Sequence, residues 1–81
     1  MIGKKYMVAK YKKGKDIGEV LDQVYMILFE PEIGKGVILF DSEGKGFHTS
    51  PVVSLVTTKS YDSFSLEINT MNSTYVLCEV R

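Results

Sequence analysis

Apolar and polar residues alternate strictly over residues 64–69, and this pattern limits most sharply what the chain can form. Phe64, Leu66 and Ile68 are apolar, and the residues between them are polar. Successive side chains of a β-strand point to opposite faces, so such a segment buries one face and exposes the other. The pattern therefore predicts a half-buried β-strand.

Similar strand-like runs follow one another at close spacing along the rest of the chain. Predicted strands cover residues 5–11, 23–30, 36–41, 47–49, 52–58 and 73–80. Residue types that turns require separate several of them, most clearly over residues 41–46. Many short strands in a small chain are typical of compact β folds. We therefore predict a mainly β fold, an SH3-like or OB-like bent sheet or barrel of five to seven short strands.

The stretch after the first predicted strand carries signals for both helix and strand. Its apolar residues fall at helical spacing, and Asp16 with Glu19 matches an N-terminal capping pattern. Gly18, however, weakens the first helical turn, and the second half of the stretch is rich in β-forming residues. We therefore predict a short helix or turn near residues 16–22, followed by a strand over residues 23–30.

The length of 81 residues predicts one small β domain over residues 1–81. A chain of this size buries only about 60–65% of its unfolded surface. A single cysteine, Cys78, excludes an internal disulfide, and its place on an apolar strand face predicts a buried, inert thiol. Segments 24–29 and 37–40 are apolar on both faces, so something must cover their outer side. The predicted short helix or another subunit would provide this cover, and the small size of the chain favours another subunit of a homo-oligomer.

Positive charge is concentrated at the start of the chain, although the formal net charge is zero. Residues 1–15, which include the first predicted strand and are called the lysine arm below, hold six lysines and no acid. The remaining residues hold ten acids and four bases, so an arm of charge +6 adjoins a body of charge −6. Such asymmetry indicates contact with phosphate, nucleic acid or an acidic partner. Lysines on an edge strand also protect a sheet from aggregation, so a merely solvated or an edge-protecting role is the alternative.

Two uncharged clusters rich in hydroxyl and amide groups punctuate the apolar stretches, one over residues 48–51 and the other over residues 69–74. Such groups both donate and accept hydrogen bonds, so they can orient a polar ligand. Turns use the same residue types, and turn formation is the alternative interpretation. Together with residues of the arm, the predicted ligand-binding residues are His48, Thr49, Ser50, Asn69, Thr70, Asn72, Ser73, Lys10, Tyr11 and Lys12.

His48 is the only histidine, and catalysis by it would need a hydroxyl and an acid at its side. Its neighbour Thr49 would point to the opposite face of a strand, so the two cannot readily pair. No cysteine–histidine metal set, phosphate loop or nucleophile elbow occurs. We therefore predict a protein that is not an enzyme and needs no metal or cofactor. The first residues lack the apolar core of a signal peptide and no window is apolar enough to span a membrane, which predicts a cytoplasmic protein.

The sequence HTSPVVSL at residues 48–55 is followed by LEINTMNSTYVLCEV at residues 66–80. Together they resemble a pattern found in small, mostly β accessory proteins encoded by phages and mobile elements, and the resemblance covers about residues 36–80. It implies a non-enzymatic role in which the protein interferes with a host process. Such proteins mask a host protein, or oligomerise around a nucleotide signal and sequester it. The resemblance assigns no site residues.

Charge, polar clusters and resemblance together favour sequestration of a small anionic, nucleotide-like ligand within an oligomeric β assembly. Arm lysines would neutralise phosphate, hydroxyls and amides would orient the base or ribose, and an aromatic ring would stack on it. The candidates for stacking are Tyr6, Tyr11, Tyr25 and Phe47. A first alternative is a protein–protein inhibitor that masks a host factor through its acidic body. A second is a module that binds single-stranded nucleic acid through the arm, although the arm contains no arginine and the body would repel a long polyanion.

Overall fold

Seven β-strands and no helix make up the residues that the computed structural model describes, 2–12 and 18–80. The strands are β1 (Tyr6–Lys12), β2 (Gly18–Ile27), β3 (Ile38–Phe40), β4 (Gly46–His48), β5 (Val52–Lys59), β6 (Phe64–Thr70) and β7 (Ser73–Glu79). They form one sheet in the order β4-β3-β2-β1-β7-β6-β5, and all neighbouring strands are antiparallel. This architecture confirms the prediction of a mainly β fold. Across the described ranges, no helix has the length and apolar character needed to cross a membrane.

The sheet curls into a half-barrel because the first residue of β5 is tied to the segment that precedes β3. Ile33 forms an isolated parallel bridge with Val52. The Gly34 N–H donates to the Val52 carbonyl at 2.9 Å, and the Val52 N–H donates to the Lys35 carbonyl at 3.0 Å. These bonds bring the two ends of the strand order toward each other. The concave side of the sheet, called the inner face below, therefore encloses the core.

Side chains at every second position fill the inner face. In β6, Leu66 and Ile68 are buried, as the alternation over residues 64–69 predicts. The same period of two buries one side of β1 and β7. The buried apolar residues are Tyr6, Val8, Ile27, Val37, Leu39, Val52, Leu66, Ile68, Tyr75 and Leu77. The intervening side chains form the convex outer face.

The prediction of a short helix near residues 16–22 is wrong over residues 18–22, since β2 begins at Gly18 and continues to Ile27. The other part of that prediction, residues 16 and 17, lies outside the described residues. Pairing with β1 decides the conformation, because Gly18 lies opposite Tyr11 and a Cβ atom on this glycine would overlap the tyrosine ring. A glycine that weakens a helical turn is the residue that allows this close cross-strand contact.

The edge-protecting interpretation of the lysine arm is wrong for β1. This strand lies in the middle of the sheet, between β2 and β7. Its backbone groups are hydrogen-bonded on both sides, so its lysines have no free edge to protect. The alternative of solvated lysines stays a prediction, since Lys12 is exposed.

The predicted burial of the Cys78 thiol is also wrong. Its neighbour Leu77 is fully buried on the inner face, and Cys78 lies on the outer face and is exposed. The residue paired with it on β1, Met7, is exposed to 37%. The outer face is therefore apolar in places that no described residue covers.

Candidate ligand-binding end of the half-barrel

Pairing between β1 and β7 brings the lysine arm to the second polar cluster. Lys12, the last residue of β1, lies opposite Ser73, the first residue of β7. Lys10 lies opposite Tyr75. All four side chains belong to the inner face, because they continue the alternation of the buried residues in each strand. The sheet thus places two lysines beside a cluster that is distant in sequence.

A side-chain hydrogen bond joins the two polar clusters to each other. The Asn72 amide Nδ2 donates to the Ser50 Oγ atom at 2.7 Å. The two residues meet because Val52 at the start of β5 pairs with Thr70 at the end of β6. We call the inner-face and loop residues at this end of the sheet the polar end: Lys10, Lys12, Ser50, Asn72 and Ser73.

Thr70 uses its hydroxyl to build the turn between β6 and β7. The side chain is 6% exposed. Its Oγ1 atom donates to the Ser73 carbonyl at 2.9 Å and accepts from the N–H groups of Asn72 at 3.3 Å and Ser73 at 3.0 Å. The hydroxyl therefore satisfies backbone groups that the tight turn leaves without a strand partner.

Thr49 has an equivalent task between β4 and β5. It is also 6% exposed, and its Oγ1 atom accepts from the Val37 N–H at 2.9 Å and donates to the Ser50 carbonyl at 2.8 Å. Both threonines of the predicted site thus hold loops in place. Their contribution to a ligand site is to position the residues beside them.

Three predicted site residues belong to the outer face. The Asn69 amide accepts a hydrogen bond from Thr74 Oγ1 at 2.7 Å and donates one to Glu67 Oε2 at 2.9 Å. Tyr11 lies against Gly18, and His48 is exposed on the strand face opposite Phe47. The structure does not bring these three residues to the inner side of the polar end. Each occupies a strand position whose side chain points to the outer face, whereas the lysines and Ser73 point to the inner face.

An aromatic cluster forms the floor of the inner face beside Lys10. The Lys10 Nζ atom lies 5.8 Å from the centroid of the Tyr75 ring. Phe47 stacks on Tyr75 with 5.7 Å between the ring centroids, and Tyr25 meets Phe47 edge-on at 5.4 Å. The stacking residues predicted from the sequence do not include Tyr75. The sequence shows that Tyr75 and Ser73 are two residues apart and so share a face of β7. The position of Tyr75 under Lys10, however, depends on the pairing of β1 with β7.

Neither lysine of the polar end forms an ion pair with any residue that the structure describes, whereas Lys4, Lys35 and Lys45 each lie within 4 Å of a glutamate oxygen. The nearest candidate by register is Glu19, which lies opposite Lys10 in β2. Since no described carboxylate neutralises them, the two ammonium groups can attract an anion, and Glu19 is positioned to weaken that attraction.

A second concave region lies at the other end of β1, where a cleft of about 300 Å³ is lined by Lys4, Tyr6, Lys59, Phe64 and Glu79. Lys4 and Glu79 form an ion pair across it at 3.5 Å. Burial of Tyr6 raises the pKa of its phenol, and the negative charges of Glu79 and Glu30 raise it further. This region is chemically distinct from the polar end, since an acid neutralises one of its lysines.

The raised pKa of Tyr6 predicts an alkaline loss of stability. A folded-state pKa above the unfolded value of about 10 contributes stability that is fully present below pH 10 and is lost as the pH rises through the folded-state pKa. Tyr6→Phe removes this group, so its urea midpoint should fall less between pH 9 and pH 11 than that of the unmodified chain. Tyr61→Phe is the control, because Tyr61 is fully exposed. Equal losses in the Tyr6→Phe variant and the unmodified chain would contradict the expectation.

No family model, curated protein or solved structure matches this chain. The resemblance to phage and mobile-element accessory proteins therefore stays a prediction. Among the described residues, no three histidine, cysteine, aspartate or glutamate side chains are grouped so that they could hold a metal ion.

Proposed function

We propose that this chain is a non-enzymatic binding protein that holds a small anionic, nucleotide-like ligand at the polar end. One observation carries the proposal. The β1–β7 register sets Lys10 and Lys12, which have no ion-pair partner among the described residues, on the same face beside hydroxyl, amide and aromatic groups.

The spacing of the two lysines suits a phosphate or diphosphate group. Residues two apart in a strand are separated by about 7 Å and point to the same side. Flexible lysine stems can bring both ammonium groups to one phosphate, or one to each of two phosphates. The Lys10 Nζ atom contacts the Tyr75 ring as a cation–π pair, which restricts the side chain and reduces the entropy that binding would cost.

Neutral groups around the lysines can orient the remainder of such a ligand. Ser50 and Asn72 are hydrogen-bonded to each other, and Asn72 is exposed. An amide and a hydroxyl can exchange this bond for bonds to a ribose or a base edge. The proposed role is sequestration, as the sequence resemblance implies, because the polar end supplies recognition groups without a base–nucleophile pair.

Binding should depend on the charge of the two lysines. Isothermal titration of the full chain with inorganic pyrophosphate and with ADP at low salt should show binding that Lys10→Met/Lys12→Met weakens at least about tenfold, since each charged hydrogen bond contributes about 1.5–3 kcal/mol. Methionine keeps a flexible apolar side chain of similar length and removes the charge. Lys45→Met is the matched control, because Lys45 lies in the β3–β4 turn and pairs with Glu43.

Removing the nearby negative charge should have the opposite effect. Glu19→Gln is expected to tighten binding of the same two probes, because it removes a negative charge beside Lys10. The effect should be only a few-fold, since Glu19 is exposed and its charge is screened by water. No binding by the unmodified chain, or equal weakening by Lys45→Met, would overturn the proposal. Preference for a single-stranded oligonucleotide over both probes would favour a nucleic-acid module instead.

A further inference from the structure

β5 is a terminal strand of the sheet, and one of its edges has no strand partner among residues 2–12 and 18–80. It pairs with β6 on one side. On the other side, the described backbone bonds involve only its first residue, Val52. The remaining residues of β5 leave their outward-pointing N–H and C=O groups without strand partners among the described residues, which makes this edge a template for another strand.

The composition of β5 does little to block such pairing, because its one charged residue, Lys59, is the last of the strand. Residues 53–58 are uncharged and include three β-branched or leucine side chains in the run 53–56, and no proline interrupts the strand after Pro51. Natural edge strands are usually short, charged, bulged or interrupted by proline. The opposite edge, β4, is only three residues long. The bulge of β5 lies between Val52 and Ser54, which leaves the rest of its edge regular.

Exposed apolar side chains lie along this edge and at both of its ends. Val53 and Val56 are exposed to 56% and 49%, respectively. At one end, Ile33 bridges Val52 and is 68% exposed, and at the other end Tyr61 is fully exposed just beyond the strand. In an antiparallel pair of two copies, the end of β5 near Tyr61 of one copy lies beside the end near Ile33 of the other, so exposed apolar side chains meet at both ends. The edge is therefore complementary to itself.

We propose that two copies of this chain pair through β5, antiparallel and about a two-fold axis, to give one continuous sheet. Residues directly opposite each other in a sheet lie on the same face, and the two-fold axis maps each face onto itself. The axis must then pass beside a residue that faces its own copy. Val56 is that residue when the regular part of the strand beyond the bulge overlaps most, and Thr58 then lies opposite Ser54 of the second copy.

The charge pattern favours a second copy over a lysine-rich or acidic partner strand. With Val56 at the centre, no two charged residues of the β5 strands lie opposite each other. The interface is small, because pairing of one strand edge buries less than the roughly 1,600 Å² of standard stable complexes. We therefore expect a dimer that dissociates on dilution, with a dissociation constant in the micromolar range or above.

Sedimentation equilibrium of the full chain between about 1 and 200 μM should show a mass that rises from 9.1 kDa toward twice that value. Val56→Lys should raise the dissociation constant at least about tenfold, because two lysines would face each other about 5 Å apart. Val20→Lys is the matched control, since Val20 is an exposed outer-face residue of β2. A circular dichroism melt checks that both variants fold.

Disulfide trapping tests the register without relying on a destabilising charge. In a Cys78→Ser background, Val56→Cys should form a dimer under mild oxidation, because Cα atoms directly opposite in a sheet lie about 4.5–5.5 Å apart, within disulfide range. Val20→Cys in the same background should not. A chain that stays monomeric at 200 μM would overturn the proposal and leave this edge to a strand of another protein. Loss of the dimer in Val20→Lys alone would also overturn it, in favour of stacking of outer faces.

Discussion

Gly46→Ala is expected to lower the free energy of unfolding by about 3 kcal/mol. This is the upper end of the range of costs for inserting an extra group into a packed region. A Cβ atom at Gly46 would overlap the backbone carbonyl oxygen of Leu39 and lie 2.8 Å from the Cα atom of Phe40. These are backbone atoms of β3, so no side-chain rotation can relieve the overlap. Urea unfolding followed by circular dichroism measures the loss, which is large against the roughly 4–12 kcal/mol expected for a chain of this length.

The Gly46→Ala change should also disturb the inner face, because β4 carries Phe47 next to Gly46. If β4 moves away from β3, Phe47 leaves its stack on Tyr75. Gly44→Asn is the control. Gly44 has a φ of +81°, a Cβ atom there would meet no other atom within 4 Å, and asparagine tolerates this left-handed conformation. Equal stability of the Gly46→Ala variant and the unmodified chain would mean that β4 is not held against β3 as described.

Thr70→Val is expected to cost about 2–3 kcal/mol, although valine has nearly the same shape as threonine. The change deprives two N–H groups and one carbonyl of the β6–β7 turn of their partner, and each buried polar group left unpaired costs about 1–3 kcal/mol. Some of these groups can form hydrogen bonds to water instead, so the total destabilisation should be smaller than the sum of the three separate costs. Thermal and urea unfolding give the measurement.

Thr70→Ser separates the hydroxyl from the methyl group. Serine keeps the three hydrogen bonds and loses one methyl, so it should cost only about 1 kcal/mol. The pair of variants also distinguishes a loop-holding threonine from a ligand contact. A Thr70→Val variant with unchanged stability but lost pyrophosphate binding would show that the hydroxyl acts on the ligand directly.

The strands most accessible to prediction from sequence are those with a clear period of two. The alternation over residues 64–69 predicts β6 to within one residue at its end, because a strand with one buried face has to alternate. The run that became β2 could not be assigned in the same way. Its apolar residues fit a helix as well as a strand, and the choice depends on the neighbouring β1, which lies outside the window that shows the pattern.

For the candidate site, too, the sequence predicts some features and not others. Sequence alone selects residue types that bind anions and polar groups, including Lys10, Lys12 and Asn72. It cannot say that Asn69 and Tyr11 lie on the outer face or that Tyr75 lies under Lys10, because strand parity becomes a spatial side only when the partner strand is known.

By itself, the sequence of this protein determined that the chain forms short β-strands, that one face of β6 is buried, and that positive charge is concentrated near the start of the chain. Those properties depend on residue type and local spacing. The tertiary structure decided that β1 is central, that β5 is terminal in the strand order, and that the two polar clusters meet at Ser50 and Asn72. Strand order and register arise from contacts between distant segments, whose energies no local pattern records.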